Sequence, residues 1–574
     1  MTSDDPGTSD GVDPVTLEVT RNACIAISEE MNATLIRTGY SPNIKERRDC
    51  SCALFDADAE MISQAENMPV HLGAMPFSVA AAIDRYPPET LDPGDAILLN
   101  DPFYGGAHLP DLTLVTPVFQ DGDIIAFAAN RAHHADVGGS RAGSVAADST
   151  EIYQEGLRIP PVKLFEGGEP NEGLFDMILS NVRTPDERRG DLRAQEAANE
   201  TGRRRVTELV EKYGRGQLTA MLEEIKDYSE RRMRAEITDL PDGTYTYDDV
   251  LDDDGRGNEA LAIRAAVTID GDHVSVDFSG SADQTAGAIN AVFAVTASAT
   301  YYAVRCVTDP DIPPNHGCYR PIDIEAPDGT IVNPEPPAAV VGGNLETSQR
   351  VTDVVLGALS KAVPDRVTAA GQGTMNNVTF GGTDPRDGTP YAFYETQAGG
   401  FGGRRGKDGM DGVHVHMSNT MNTPAEVLET AYPLRVTRYE YRPDTGGAGE
   451  FRGGLGLRRD IQVRDHEATF SLLAERHRSQ PYGLSGGDPG ATGGAVLNPD
   501  DDPEELAPKS THELPPGSVV SVRTPGGGGY GDSSDRDAGA LARDLRLGKI
   551  TPERLRSVYG IDPMDLRGDG EGET

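Results

Sequence analysis

Residues able to hold a metal or move a proton concentrate between Asn100 and Gly139, in NDPFYGGAHLPDLTLVTPVFQDGDIIAFAANRAHHADVGG. Asp101, His108, Asp111, His133, His134 and Asp136 all stand there. His108 and Asp111 share a turn that Gly105, Gly106 and Pro110 keep from becoming helix. Between them and His133 run LTLVTPV (Leu112 to Val118) and DIIAFAAN (Asp123 to Asn130), separated at Asp121-Gly122. An Asp-Gly pair favours a tight hairpin, because glycine accepts the positive φ that the turn requires. A hairpin returns the chain to its start, so His133 is expected beside His108 and Asp111. Two imidazoles and a carboxylate suit a divalent transition metal such as Mn, Zn, Fe or Co better than Ca or Mg, which prefer oxygen shells. His134 and Asp136 are the candidate orienting or proton-carrying groups, and Asp101 is a third catalytic candidate. Ordinary polar loop residues are the plainer reading; four ligand-type residues at the two ends of one hairpin favour the metal.

Longer segments carry a family resemblance. NDPFYGGAHLPD, ANRAHHADVGG, QEGLRIPPVKL (Gln154 to Leu164) and GDLRAQEAA (Gly190 to Ala198) are similar to the B subunit of the hydantoinase and oxoprolinase family. So are TRNACIAISEEMNATLIRTGYSPNIKERRDCSCALFD near the start and TPGGGGYGD (Thr524 to Asp532) near the end. The similarity extends from about Asp13 to about Tyr559. It implies an ATP-dependent hydrolase of cyclic amides of the N-methylhydantoinase or 5-oxoprolinase type, working as a hetero-oligomer with a separate ATP-binding A subunit. In this family and in the related acetone carboxylase subunit, it also implies a metal held by a His, a nearby Asp and a later His. Carried onto this sequence these are His108, Asp111 and His133, the three that the spacing selects.

Composition narrows the partners. Among 574 residues, 93 Asp and Glu against 52 Lys and Arg give a net charge of -41, which repels nucleic acid and anionic membrane. Trp is absent and lysines are few, yet apolar runs continue along the chain, so disorder does not explain the acidity. A halophilic source is expected, because molar salt screens charge over about 3 Å. Five cysteines without a CxxC pair point to a reducing cytosol rather than disulfides or structural zinc. The start, MTSDDPGTSDG, lacks the basic and apolar regions of a signal peptide, and no apolar run approaches the roughly 18 residues of a membrane span. The expectation is a soluble, cytoplasmic protein.

Val19, Ala23, Ile27, Met31 and Leu35 recur at every fourth position and predict a helix from Val15 to Thr38, capped by Asp13 with Pro14 in the first turn. Lys45, Glu46, Arg47, Arg48 and Asp49 follow. They read either as a salt-bridged loop or as an anion-binding edge in which Arg47 and Arg48 hold a substrate carboxylate or phosphate. His71, in NMPVHLGAMP between apolar neighbours, reads first as a satisfied core histidine, and the resemblance keeps it as a substrate-pocket candidate. Long helices are predicted from Asp186 to Ile237, broken at YGRGQ.

Alternating runs with Asp-Gly turns predict antiparallel sheet from Pro241 to about Val332, with a helix near Ala291 to Val307. DDVLDDD (Asp248 to Asp254) lacks the DxDxDG frame of a calcium loop and reads as a solvated surface turn. Glu346 to Val363 predicts a helix. In GGFGGRRGKDG (Gly399 to Gly409) a phosphate loop would need glycine where Phe401 stands and a hydroxyl where Asp408 stands, so nucleotide is expected on another polypeptide. His414 and His416, two apart, are expected on one strand face as a lesser metal candidate. TPGGGGYGD serves either close approach to a ligand or a tight inter-subunit turn, and NPDDDPEELAPKST (Asn498 to Thr511) reads as an exposed insertion. Helical segments are predicted at Ala538 to Leu547 and Pro552 to Tyr559.

The expected fold class is α+β or mixed α/β: an N-terminal helix, a mixed sheet and long helices, then antiparallel β-rich and glycine-rich regions. The expected divisions are an acidic tail at 1–12, a metal-site α/β domain at 13–240, a β-rich domain at 241–345, a glycine-rich α/β domain at 346–535 and a helical segment with tail at 536–574. A metal at the hairpin would polarise a carbonyl or activate water. An acetone-carboxylase-type subunit and a non-catalytic metal-binding scaffold are the alternatives.

Overall fold

The structure, a computed structural model, describes residues 13–65 and 67–566; the acidic tail expected at 1–12 lies outside them. Helix α1 (Pro14–Thr38) starts where predicted, with Asp13 accepting the Thr16 N–H. Its buried face is Leu17, Thr20, Cys24, Ile27, Ser28, Met31 and Leu35, while Val19 is 46% exposed. Val19 and Ala23 were misplaced because a strict four-residue step overshoots each 3.6-residue turn by about 40°.

After α2 (Pro42–Lys45) come β1 (Cys50–Asp56), β2 (Met61–Gln64), α3 (Pro69–Arg85) and β3 (Ala96–Leu99). The predicted hairpin is β4 (Asp111–Gln120) and β5 (Asp123–His133), closed by Asp121 at φ 54 and Gly122 at φ 90. With β6 (Val162–Glu166) and β7 (Glu169–Pro170) these strands form one sheet in the order β2-β1-β5-β4-β3-β6-β7. Successive side chains leave a strand on opposite faces. Cys52 and Ala128 therefore join an apolar cluster with Ile27 and Met31 of α1, whereas Ala53 and Phe127 join another with Met75 and Val79 of α3. Helices α4 (Glu172–Leu179), α5 (Pro185–Tyr213) and α6 (Arg215–Thr238) follow, the last two divided at Gly214 (φ 79). Helix α5 packs on β4 and β5.

A second sheet contains β8 (Gly243–Asp253), β9 (Glu259–Asp270) and β10 (His273–Asp277), followed after α7 (Phe293–Arg305) by β11 (Ile322–Glu325), which pairs parallel to β10. The solvated turn expected at DDVLDDD is instead the end of β8. Asp249 is paired with Arg476 at 2.7 Å and Arg350 at 3.0 Å, and Asp252 accepts the N–H groups of His477, Arg478 and Ser479. Those partners come from far along the chain, so a local pattern could not show them.

A π-helical turn, Gly343–Thr347, leads into α8 (Ser348–Leu359). Strands β12 (Asn377–Thr383) and β13 (Pro390–Glu395), helix α9 (Ala425–Ala431), then β14 (Leu434–Tyr441), β15 (Leu457–Val463), β16 (Ala468–Leu473), β17 (Gly494–Leu497), β18 (Glu504–Leu506), β19 (Lys509–Leu514) and β20 (Val519–Arg523) follow. They make two sheets, β13-β12-β16-β19 and β14-β15-β20-β17-β18. The expected insertion at Asn498 to Thr511 is exposed at 500–505, but part of it forms β18 and the start of β19, and Lys509, read as exposed, is buried against Glu475.

The glycine run of TPGGGGYGD is packed inside the chain. Gly403 and Gly447 donate N–H to Gly528 O and Gly527 O at 2.8 and 2.9 Å, and Gly527 donates to Gly454 O at 3.0 Å. A Cβ on Gly526 or Gly527 would lie 1.9 Å from Thr445 O or 2.2 Å from Phe401 O, so only glycine permits this backbone-on-backbone layer. Helices α10 (Ala538–Arg546) and α11 (Pro552–Tyr559) close the described chain. One apolar cluster runs from Ala53 to Leu473 and joins α3, α7 and α8 beneath the first two sheets, across positions 240 and 345.

Candidate metal centre

β4 opens on Asp111 and β5 ends on His133, and the two are direct partners in the ladder. His108, in the turn before β4, completes the set. His108 Nε2 lies 3.0 Å from Asp111 Oδ1, His133 Nδ1 lies 3.2 Å from the same oxygen, and the two nitrogens are 3.2 Å apart. All three residues are buried. His108 Nδ1, Asp111 Oδ2 and His133 Nε2 have no hydrogen-bond partner. Three lone-pair atoms thus converge with too few protons to bridge every contact, the situation that a divalent cation of nitrogen and oxygen preference relieves.

Burial acts to raise the Asp111 carboxyl, but His108 and His71 beside it, with hydrogen bonds from His108 and His133, hold it well below the usual range. Burial lowers His133, which is therefore a neutral imidazole at physiological pH. His71, carried by α3, places Nε2 3.3 Å from Asp111 Oδ2 and 3.8 Å from Asp49 Oδ1. The ring of Tyr394, from β13, stacks on His133 with centroids 4.6 Å apart. Arg47 lies 4.8 Å from the Tyr394 ring centre and 3.5 Å from Asp49. It donates to Tyr394 O and Thr396 Oγ1, which fixes it in place.

Other expected site residues face elsewhere. His134 follows His133 and so leaves the sheet on the α5 side, where its Nε2 is 2.9 Å from Gln195 Oε1. Burial brings His134 down to about 4. Asp136 binds Arg183 at 2.8 Å and accepts the N–H of Gly138 and Gly143. Asp101 caps Phe103 and pairs with Arg158 at 2.8 Å. Arg48, at φ 55, is exposed and lines a different cavity with Arg21 and Gln64. His414 and His416 do not share a strand face: no strand forms there, His416 is at φ 48, and their partners are Ser418 and Tyr302 respectively.

The sequence reading missed Asp49, Tyr394, Asn377 and Glu346. Glu346 lies in the π-helical turn and accepts from Asn377 Nδ2 at 2.7 Å and Met375 N at 3.1 Å. Asn377 Oδ1 accepts from the Tyr394 hydroxyl at 3.1 Å, so a polar chain runs from Glu346 to the ring stacked on His133. Burial raises Glu346 to about 8. The one local signal was an acidic residue in GGNLETSQR, at the start of a predicted helix.

A second carboxylate group, Asp56, Glu60 and Glu223, is close enough for a cation. Lys226 Nζ already occupies it, at 2.7 Å from both Asp56 and Glu223 and bonded also to Glu60.

The fold and site define a mixed α and β protein with a His-Asp-His group built on a buried hairpin. The profile of the hydantoinase B/oxoprolinase family matches residues 13–533, and the chain belongs to that family. It is 38% identical over 544 residues to 5-oxoprolinase 1 of Arabidopsis thaliana, covering 91% of this chain and 42% of the plant protein. It is 33% identical over 568 residues to the caprolactamase subunit beta of Pseudomonas jessenii, covering 96% of each. The crystal structure of the ATP-dependent caprolactamase from that organism superposes with a TM-score of 0.90 at 33% identity, covering 98% of each chain.

Proposed function

We propose that this chain is the B-type subunit of an ATP-dependent cyclic amide hydrolase that opens hydantoin, N-methylhydantoin, 5-oxoproline or a related lactam, with an A-type partner that binds ATP. The observation that carries this reading is the convergence of His108, Asp111 and His133 at the buried end of one hairpin, in a family whose named relatives act on cyclic amides. The plant 5-oxoprolinase, of which this chain spans 42%, has length enough for a second functional unit in the same polypeptide. The caprolactamase relative, matched over 96% of each chain, is named as one subunit, which supports an A-type function supplied by a partner, as does the failed phosphate loop at Gly399–Gly409.

His108, Asp111 and His133 would hold a divalent transition metal such as Mn, Zn or Fe, which when bound polarises a carbonyl or lowers the pKa of water. We assign proton handling to His71 rather than His134, Asp136 or Asp101, because His71 alone of the four lies beside Asp111. Tyr394 holds the plane of His133, and Arg47 holds Tyr394. The buried cation of Arg131, bonded to Ser78 and Thr113, stands near Asp111 and offsets part of its charge. A host with molar cytoplasmic salt fits the charge of -41, and no helix among the described residues is long and apolar enough to cross a membrane.

The test is metal analysis in multimolar KCl of the chain and its His108→Ala variant, followed by ATP-dependent lactam opening with the partner. About one transition metal per wild-type chain, lost in a folded variant together with ring opening, supports the reading. Metal absent from both, even after co-purification with the partner, overturns it.

A further inference from the structure

The loop rejected as a phosphate loop builds a different cavity, distinct from the His-Asp-His group. Gly402, Arg404, Lys407, Gly409 and Phe401 form one wall, and Tyr302 of α7 and Leu356 of α8 contribute to the other, enclosing about 280 Å³. That volume lies at the small end of ligand sites. Arg404 and Lys407 exchange both backbone hydrogen bonds, each at 3.0 Å, so the turn between them presents two cations from directly paired positions. Neither side chain has a carboxylate partner among the described residues, although the chain carries 93 acidic residues. The acidic group at the rim, Asp408, is bound by Arg536 at 2.8 Å, and Arg405 is bound by Asp365.

The rest of the lining mixes apolar Val367 and Met410 with polar Cys306, Arg366, Thr368 and His416. Phe401 and Tyr302 flank His416, with ring centroids 5.2 and 5.8 Å from it. His416 is 4% exposed, and its Nε2 has no hydrogen-bond partner. Asp353 Oδ1, 3.9 Å away and also unpartnered, is too far for a direct bond. A buried ring nitrogen left unpaired beside a cavity calls for a ligand or water atom.

We propose that this cavity binds a small organic anion, its carboxylate or phosphate held by Arg404 and Lys407, its planar or aliphatic body against Phe401 and Tyr302, and a polar atom bonded to His416. An inorganic ion would leave the aromatic walls unused, and a neutral apolar molecule would leave the two cations unused. The site is independent of the amide-hydrolase reading, since none of its residues belongs to the His-Asp-His group. Burial lowers His416 to about 4, so the imidazole is neutral and offers one donor and one acceptor.

The test is calorimetric titration of the full chain with benzoate, phenyl phosphate, inorganic phosphate and benzamide, without turnover. Saturable 1:1 binding of benzoate or phenyl phosphate is expected, with inorganic phosphate and benzamide about tenfold weaker. The tighter of the two organic anions identifies the anionic group. Arg404→Gln with Lys407→Gln should weaken that anion by about tenfold or more while the melting temperature stays unchanged. Phe401→Leu should weaken phenyl phosphate but not inorganic phosphate. No saturable binding by the wild type, or equal binding by the folded double variant, overturns the proposal.

Discussion

Asp111 and His133 occupy the last rung of the β4–β5 ladder, with Oδ1 and Nδ1 3.2 Å apart. The pairing is made by backbone register, so the carboxylate can be altered without moving the imidazole. Asp111→Asn keeps the shape and removes the charge. We expect it to fold and to lose at least about a hundredfold in metal affinity, more than the loss typical of an outer-shell change. Competition with a chromophoric chelator measures this; unchanged affinity would refute Asp111 as a ligand.

Glu346 and Glu155 are buried carboxyls raised to about 8, in each case first by burial. Both are raised above the unfolded value near 4.5, so the native state keeps the proton longer. Their contribution is fully present below pH 4.5 and is lost as pH rises through 8. Each then costs about 1.4 kcal/mol per pH unit across that window. Glu155→Gln should flatten the fall in stability between about pH 5 and 8, measured by urea unfolding. A variant with the wild-type slope would show that Glu155 is not the protonated group.

Glu346→Gln addresses positioning rather than stability alone. The amide can still accept from Asn377, so Tyr394 should stay stacked on His133 and ring opening should survive with a changed pH profile. Glu346→Ala removes the acceptor, and kcat should fall by about tenfold with KM little changed. Equal losses in the two variants would place Glu346 outside the site's support.

Lys226 is the cation of the Asp56, Glu60 and Glu223 group. Lys226→Met should destabilise by about 2 kcal/mol, less than for a fully buried pair because Glu223 is half exposed. The variant should regain stability with added Ca²⁺, as the wild type should not. Thermal melts with and without Ca²⁺ decide, and a variant insensitive to the ion would end the idea.

The glycine layer separates two kinds of substitution. Gly122→Ala meets open space at φ 90 and should cost about 1–2 kcal/mol. Gly527→Ala would drive a methyl onto Phe401 O, and soluble protein should fall sharply. Equal melting temperatures for the two would contradict the packing.

The hairpin was legible because its signals are local: two apolar runs, an Asp-Gly turn, and ligand residues at both ends. The sequence reading set His133 beside Asp111 but also kept His134 at the site, although strand alternation turns it to the opposite face, against Gln195. Asp49, Tyr394 and Glu346 were missed because they reach the site from three other elements. The aspartates of DDVLDDD were misread for the same reason, their guanidinium partners lying at Arg350 and Arg476. His414 and His416 show the converse, since the assumed period of two needs a strand and His416 sits at positive φ.

The layer around Gly526 to Gly529 buries peptide groups against peptide groups, with few apolar side chains between them. Unfolding it hydrates amides, which lowers heat capacity, whereas unfolding a side-chain core raises it. This part of the chain should therefore give calorimetric unfolding a smaller heat-capacity increment per residue than the usual 12–15 cal/mol/K or so, and a correspondingly broad stability curve.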